Sequence, residues 1–246
     1  MRMRRMHRAA LVVAAILVGW TGRANGGHVL FDVADRRLLE AIDSDTAIAP
    51  GRIADLLLVA VLRERIASGE ISFADRVTVL PVSGDRGPRL SAQDPVEIGD
   101  LLQLLLLTDS RSAAKTLAWA AGPSIGRCLA RMQQLAKRLG LAHTSIADDW
   151  PFTAPPSATG GSGRRGMTTM RDLGRLGLAV VTDPELRRRI GLDGVPISNG
   201  GLIARATDPL IAVDRTDVPQ GAAGSARLAL VERDGLELRA PHPELS

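Results

Sequence analysis

A chain of 246 residues with 45% hydrophobic and 24% charged side chains has a globular composition and is long enough to bury a core. Aromatic residues make up only 2% and tyrosine is absent, so Leu, Val, Ile and Ala must fill that core. Five of the 31 basic residues and none of the 27 acidic ones fall in residues 1–24, leaving 26 basic against 27 acidic; with no excess of positive charge and no basic-aromatic interleaving, this argues against a nucleic-acid partner.

Arg2, Arg4, Arg5 and Arg8 form a basic n-region, Ala9 to Gly19 an apolar run, and Gly22-Arg23-Ala24 a small-x-small cleavage site. Residues 1–24 are therefore expected to be a signal peptide, and residues 25–246 the mature, secreted or periplasmic part. An apolar run of 11 residues is shorter than the about 20 needed to cross ~30 Å of hydrocarbon, so membrane attachment is expected only through an uncleaved signal segment.

His28 to Val33 and Arg37 to Ala41 are β-like runs around an Ala-Asp-Arg turn and read as a hairpin. Pro50 opens a helix in which Ile53, Leu56, Leu57, Ala60 and Val61 recur at helical spacing, and Gly69 closes it. Asp75 to Leu80 reads as a short strand and Pro81 to Pro95 as turns. Leu101 to Leu107 is apolar almost throughout, the pattern of a helix buried on most sides. It stops at Thr108-Asp109-Ser110-Arg111-Ser112, and Ala113 to Ala121 begins the next helix.

Ile125, Cys128, Leu129, Met132, Leu135, Ala136 and Leu139 make one apolar stripe, which reads the lone Cys128 as a buried structural thiol. His28, His143 and His242 are too scattered for a metal site, and no cofactor is expected. Pro151 to Gly166 reads as a loop whose Gly160-Gly-Ser-Gly163 is no phosphate cradle, since neither a preceding strand nor a following Gly-Lys-Ser/Thr accompanies it. Thr168 or Thr169 caps a helix carrying Met170, Leu173, Leu176, Gly177 and Val180, with Asp172 in its first turn. Ala226 to Glu232 and Leu236 to Ala240 flank Arg233-Asp234-Gly235, the strongest hairpin signal in the chain. The economical assembly is one α/β (α+β) domain in which N- and C-terminal strands share an antiparallel sheet beside a helical middle.

Met132, Gln133, Ala136, Leu139, Gly140, Thr144, Thr168 and Asp172 fall on the helix-to-loop pattern of the serine D-alanyl-D-alanine carboxypeptidases of peptidase family S11, which this chain resembles. The resemblance covers roughly Val29 to Ala240. It implies a beta-lactamase/transpeptidase-like fold with no room for a further C-terminal β-domain, and a link to peptidoglycan.

The family's chemistry uses three motifs, and all three matching positions differ here. Where Ser-x-x-Lys is expected stand Arg52 and Asp55; an Arg cannot attack a carbonyl, and a carboxylate beside it is held ionised. Where Ser-x-Asn is expected stand Asp109 and Arg111, with Ser110 or Ser112 supplying a hydroxyl only after a shift of register. Where Lys-Thr-Gly is expected stands Arg215-Thr216-Asp217, which keeps a cation and a hydroxyl for substrate binding but adds a carboxylate.

A literal Ser112-Ala-Ala-Lys115 offers a relocated Ser/Lys pair, against which Ser112 is a natural helix cap. Asn199 resembles the family's approach to the edge strand. The resulting expectation is an exported pseudoenzyme whose partner is a peptidoglycan stem peptide or a cell-wall protein. The alternatives are an active carboxypeptidase using Ser112 and Lys115, or a cell-envelope interaction module.

Overall fold

The computed structural model describes residues 12–17, 28–48, 52–85, 87–92, 95–147, 150, 166–190, 192, 194–196, 203–205, 211–214 and 228–232. In chain order its elements are β1 (Val12–Leu17), β2 (His28–Asp32), β3 (Arg37–Ile42), α1 (Ile53–Ala67), β4 (Arg76–Thr78), β5 (Pro95–Glu97), α2 (Ile98–Leu107), α3 (Arg111–Ala120), α4 (Ile125–Arg138), α5 (Met170–Val181), α6 (Pro184–Ile190), β6 (Gly194–Pro196), β7 (Ile203–Arg205), β8 (Ile211–Asp214) and β9 (Leu228–Glu232).

Helix α1 explains the placement of everything around it. Ala54 to Val59 are buried without interruption, as are Val61 and Leu62, because this stretch is apolar on all sides apart from Asp55 and neighbours α3, α4 and α5 cover it. Its start has Arg52 at the cap, where a short polar side chain would be usual, and Asp55 in the first turn, where a negative charge suits the exposed amides. Gly69 lies just beyond α1 at φ +74°, as its position in the sequence predicts. Helix α2 is buried at every residue except Asp100, in keeping with its near-continuous Leu run. α2 and α3 are joined by Thr108, Asp109 and Ser110, and the Ser110 side chain caps α3 by accepting from the Ala113 amide at 3.2 Å.

A five-stranded sheet with order β3-β2-β1-β9-β8 joins the two ends of the chain. The β2–β3 hairpin forms as the sequence indicates, and α5 contacts β1, β2 and β9. Two features differ from expectation. β8 runs parallel to β9, so the sheet is mixed; the connection over 215–227 supplies the dozen or more residues that a parallel pairing requires. In addition, part of the apolar run read as the core of a targeting signal forms β1, antiparallel to both β2 and β9; its Val and Ile content suits a strand as well as a signal. Among the described residues no helix is long and apolar enough to cross a membrane.

Candidate functional site

The start of α1 and the α2–α3 junction meet in a cluster of two cations and two anions. Arg52 donates from Nε to Asp55 Oδ2 at 3.1 Å, and its terminal nitrogen donates to the carbonyls of Leu105, at 2.8 Å, and Thr108. Arg111 donates from Nη2 to the same Asp55 oxygen at 2.8 Å and also bonds Asp109. Arg52 Nε lies 3.7 Å from Asp109 Oδ1. Trp150, itself buried, donates its indole N–H to Asp55 Oδ1 at 3.0 Å.

Asp55 has a relative exposure of 1%. Burial on its own would raise its pKa, but the Arg111 and Arg52 charges and the Trp150 and Arg52 hydrogen bonds reverse that, so the carboxyl titrates below the usual Asp range. Burial opposes the charge on Arg111 as well, and Asp55 and Asp109 more than offset it. With formal charges of two plus and two minus, the cluster is balanced internally. Its one unmet donor is Arg111 Nε, buried without a hydrogen-bond partner. The arrangement holds ionised groups fixed; it presents neither a hydroxyl nucleophile nor a neutral base at Arg52 and Asp55.

A third carboxylate, that of Asp85, closes the junction from outside. Asp85 accepts from the backbone N–H groups of Arg111 and Ser112, each at 2.8 Å, from Gly87 at 3.0 Å and from the Ser110 hydroxyl at 3.2 Å. Burial raises the Asp85 pKa, and hydrogen bonding from Ser112 and from the backbone N–H groups of Gly87 and Arg111 brings it below the ordinary value. Gly87 sits so close that an added Cβ would lie 2.4 Å from Ser110 Cβ. The hydroxyl of Ser112, 5% exposed, accepts from the Val82 amide at 3.0 Å, while Lys115 Nζ reaches the Pro81 carbonyl at 3.4 Å. Both groups of the Ser112/Lys115 pair thus bond to the strand-to-loop segment at 81–82.

The residues that carried the sequence resemblance form a different feature, a clasp between the exit of α4 and the start of α5. Thr144 Oγ1 and the His143 amide both donate to Asp172 Oδ2, at 3.0 and 2.8 Å, and Thr144 and Thr168 hydroxyls are 3.0 Å apart. Thr169 caps α5 by accepting from the Asp172 amide at 3.2 Å. Met132 and Ala136 are buried on the inner face of α4 together with Cys128, whose thiol is pushed up to about 12 by burial against the opposing pull of Arg131 and Arg65.

Of the site residues anticipated from sequence, Arg52, Asp55, Asp109 and Arg111 come together, Ser110 caps α3 beside them, and Ser112 and Lys115 lie on α3. Arg215, Thr216, Asp217 and Asn199 lie outside the described residues, as does the loop from Pro151 to Arg165. Sequence reasoning missed Trp150 and Asp85. The signal for Asp85 was present, because Asp85-Arg-Gly87 in a turn-rich stretch is a pattern for an Asp side chain that bonds the backbone two residues on.

Neither a protein-family model nor a curated protein sequence matches the chain. Solved structures do. Penicillin-binding protein D2 from Listeria monocytogenes in its cefotaxime-bound form is 17% identical, with 85% of this chain and 76% of that one covered at a TM-score of 0.57. An evolved putative penicillin-binding protein homolog from Mycobacterium tuberculosis is 21% identical, covering 81% and 67% at 0.57. The D-alanyl-D-alanine carboxypeptidase DacD from Francisella tularensis is 17% identical over 79% of this chain and 42% of that one, also at 0.57. With the sheet joining both chain ends and the helices around α1, these likenesses give the chain the fold of the penicillin-binding proteins and D-alanyl-D-alanine carboxypeptidases.

Proposed function

We propose that this is an exported protein of the serine D-alanyl-D-alanine carboxypeptidase type, family S11, that has lost acylation chemistry and acts by binding a peptidoglycan stem peptide or a cell-wall protein. The observation that carries the reading is the Arg52–Asp55–Asp109–Arg111 cluster. Four charged side chains at the positions matched to Ser-x-x-Lys and Ser-x-Asn bond one another and backbone carbonyls, so none is available as nucleophile or base.

The competing enzyme reading gives Ser112 the attack and Lys115 the proton. Ser112 Oγ is turned to Val82 and nearly inaccessible, which weighs against it. The deciding experiment is incubation of the purified protein with a fluorescent penicillin beside a Ser112→Ala control. No covalent band from folded protein is expected. A band lost in Ser112→Ala would replace the pseudoenzyme with an active carboxypeptidase, and binding of a stem peptide without labelling would separate the peptide-binding role from that of an interaction module.

A further inference from the structure

We propose that the outer edge of β4, with the apolar groove between β4 and the end of α3, is a docking site for an extended acidic peptide, which adds a strand to β4 and buries one large apolar side chain against Trp119. The site goes beyond the function given above and does not rest on it, because the groove lies at the opposite end of α3 from residues 110–112.

The alternation of backbone groups fixes which side of β4 is open. The Asp75 carbonyl accepts from the Ile98 amide at 2.9 Å and Val77 stands opposite Val96, so the odd-numbered residues turn their backbone toward β5. Pro95, which has no N–H to give, falls opposite Thr78, where no ladder bond is due. Arg76 and Thr78 therefore present their N–H and C=O groups on the other side. Further along that side, α3 hydroxyls take the amides: Leu80 donates to Thr116 at 2.9 Å and Val82 to Ser112 at 3.0 Å. One helical turn on from Thr116 stands Ala120, which has no hydroxyl. Here a cavity of about 300 Å³ opens, lined by Val77, Thr78, Leu80, Thr116, Trp119 and Ala120. Among the described residues β4 pairs with β5 alone, and Trp119 stands exposed beside the open edge.

An extended peptide suits these features together. Its backbone would pair with Arg76 and Thr78, and a side chain turned toward α3 would fill the cavity, where an aromatic or branched aliphatic group packs on the indole. Cations border the groove. Arg76 is on β4, Lys115 is one turn before Trp119 with Nζ 3.4 Å from the Pro81 carbonyl, and Arg65, paired with Glu70, bonds the Ala120 carbonyl. Glu97 lies opposite Arg76 on β5, a strand further from the groove. Acidic residues on either side of the apolar one would complement this rim. A second copy of the chain is disfavoured, since β4 pairing with itself brings like charges together, and a lipid surface would leave the strand edge without hydrogen-bond partners.

The test is fluorescence anisotropy of a tagged Asp-Val-Phe-Val-Asp peptide titrated with the purified protein, beside the same peptide with Lys in place of both Asp. Saturable binding below about 1 mM is expected for the acidic peptide, weakening as salt rises, with the Lys peptide bound about tenfold or more weakly. Thr78→Pro removes an outward N–H without touching the β5 ladder and should weaken binding about three- to tenfold. Trp119→Ala should weaken it about tenfold or more with circular dichroism unchanged; the position is exposed, so this variant decides the matter even if Thr78→Pro does not fold. No binding to folded protein, equal binding of the two peptides, or binding that Trp119→Ala leaves unchanged would overturn the site. Binding that a folded Thr78→Pro leaves unchanged would overturn strand addition. A Trp119-dependent dimer in sedimentation would replace the peptide with a second copy, and Trp119-dependent capture by phosphatidylglycerol vesicles would replace it with a lipid surface. Each of these results is compatible with either pattern of penicillin labelling, so the two readings fail separately.

Discussion

Asp55 sets the charge balance at the start of α1: without its carboxylate, the Arg52 and Arg111 guanidinium groups would share a buried site with Asp109 alone. Asp55→Asn is therefore expected to cost about 3–5 kcal/mol in urea unfolding at neutral pH, the range for breaking a buried pair from one side. The sign of the pH effect follows from the lowered pKa. A carboxyl depressed in the folded state contributes its stability fully above the unfolded value of 3.8 and loses it as pH falls through the folded value. Acidification below about pH 4 should thus destabilise the native protein, and Asp55→Asn should flatten that part of the profile measured by the same unfolding series. Sequence alone indicated an ion pair between Arg52 and Asp55, since the spacing of three on one helix puts them side by side. It did not show that Arg111 and Trp150 converge on the same carboxylate, because those contacts span 56 and 95 residues and depend on tertiary packing.

At the scale of elements, two local devices hold the helices in place. The Asp172 clasp ties α4 to α5, and Asp172→Ala should cost about 1–3 kcal/mol by leaving the His143 amide without its acceptor and removing one partner of the Thr144 hydroxyl, again read by denaturant unfolding. The Asp85 loop sits over the start of α3, and Gly87→Ala would force a Cβ into Ser110. The expected result is faster hydrogen exchange across 82–87 and at the first turn of α3, because the clash reaches the capping Ser110 Oγ. The long helices were legible because their apolar residues recur at helical spacing over several turns. α6 was not: seven residues containing three consecutive Arg leave only Leu186 and Ile190 to mark an inner face. β5 was hidden for a related reason, since three residues opening on Pro carry almost no pattern and owe their strand form to pairing with β4.

For the molecule as a whole, the helical half was readable because each long helix carries its own apolar period, whereas the sheet depends on which distant segments meet. The β2–β3 hairpin is adjacent in sequence and was anticipated; the parallel β8–β9 pair and the use of Val12–Leu17 as a strand involve separations that periodicity does not encode. Cys128 offers a global readout of integrity. Buried, 3.7 Å from the Met132 sulfur and with its thiol pushed up to about 12, it should resist a thiol reagent in the native protein and react once the chain unfolds. A reactive thiol under native conditions would show that α4 does not stay docked on α1.

The indole that donates to Asp55 also gives the charge cluster an optical signature. Of the two tryptophans in the described residues, Trp119 is 48% exposed and Trp150 only 7%, so the two should emit at different wavelengths, the buried one to the blue. Trp150 emission also depends on the charge state of the carboxylate 3.0 Å from its nitrogen. The emission change on acid titration, taken as the difference from a Trp150→Phe control and set beside helix content, is therefore expected to follow the opening of the α1 entrance.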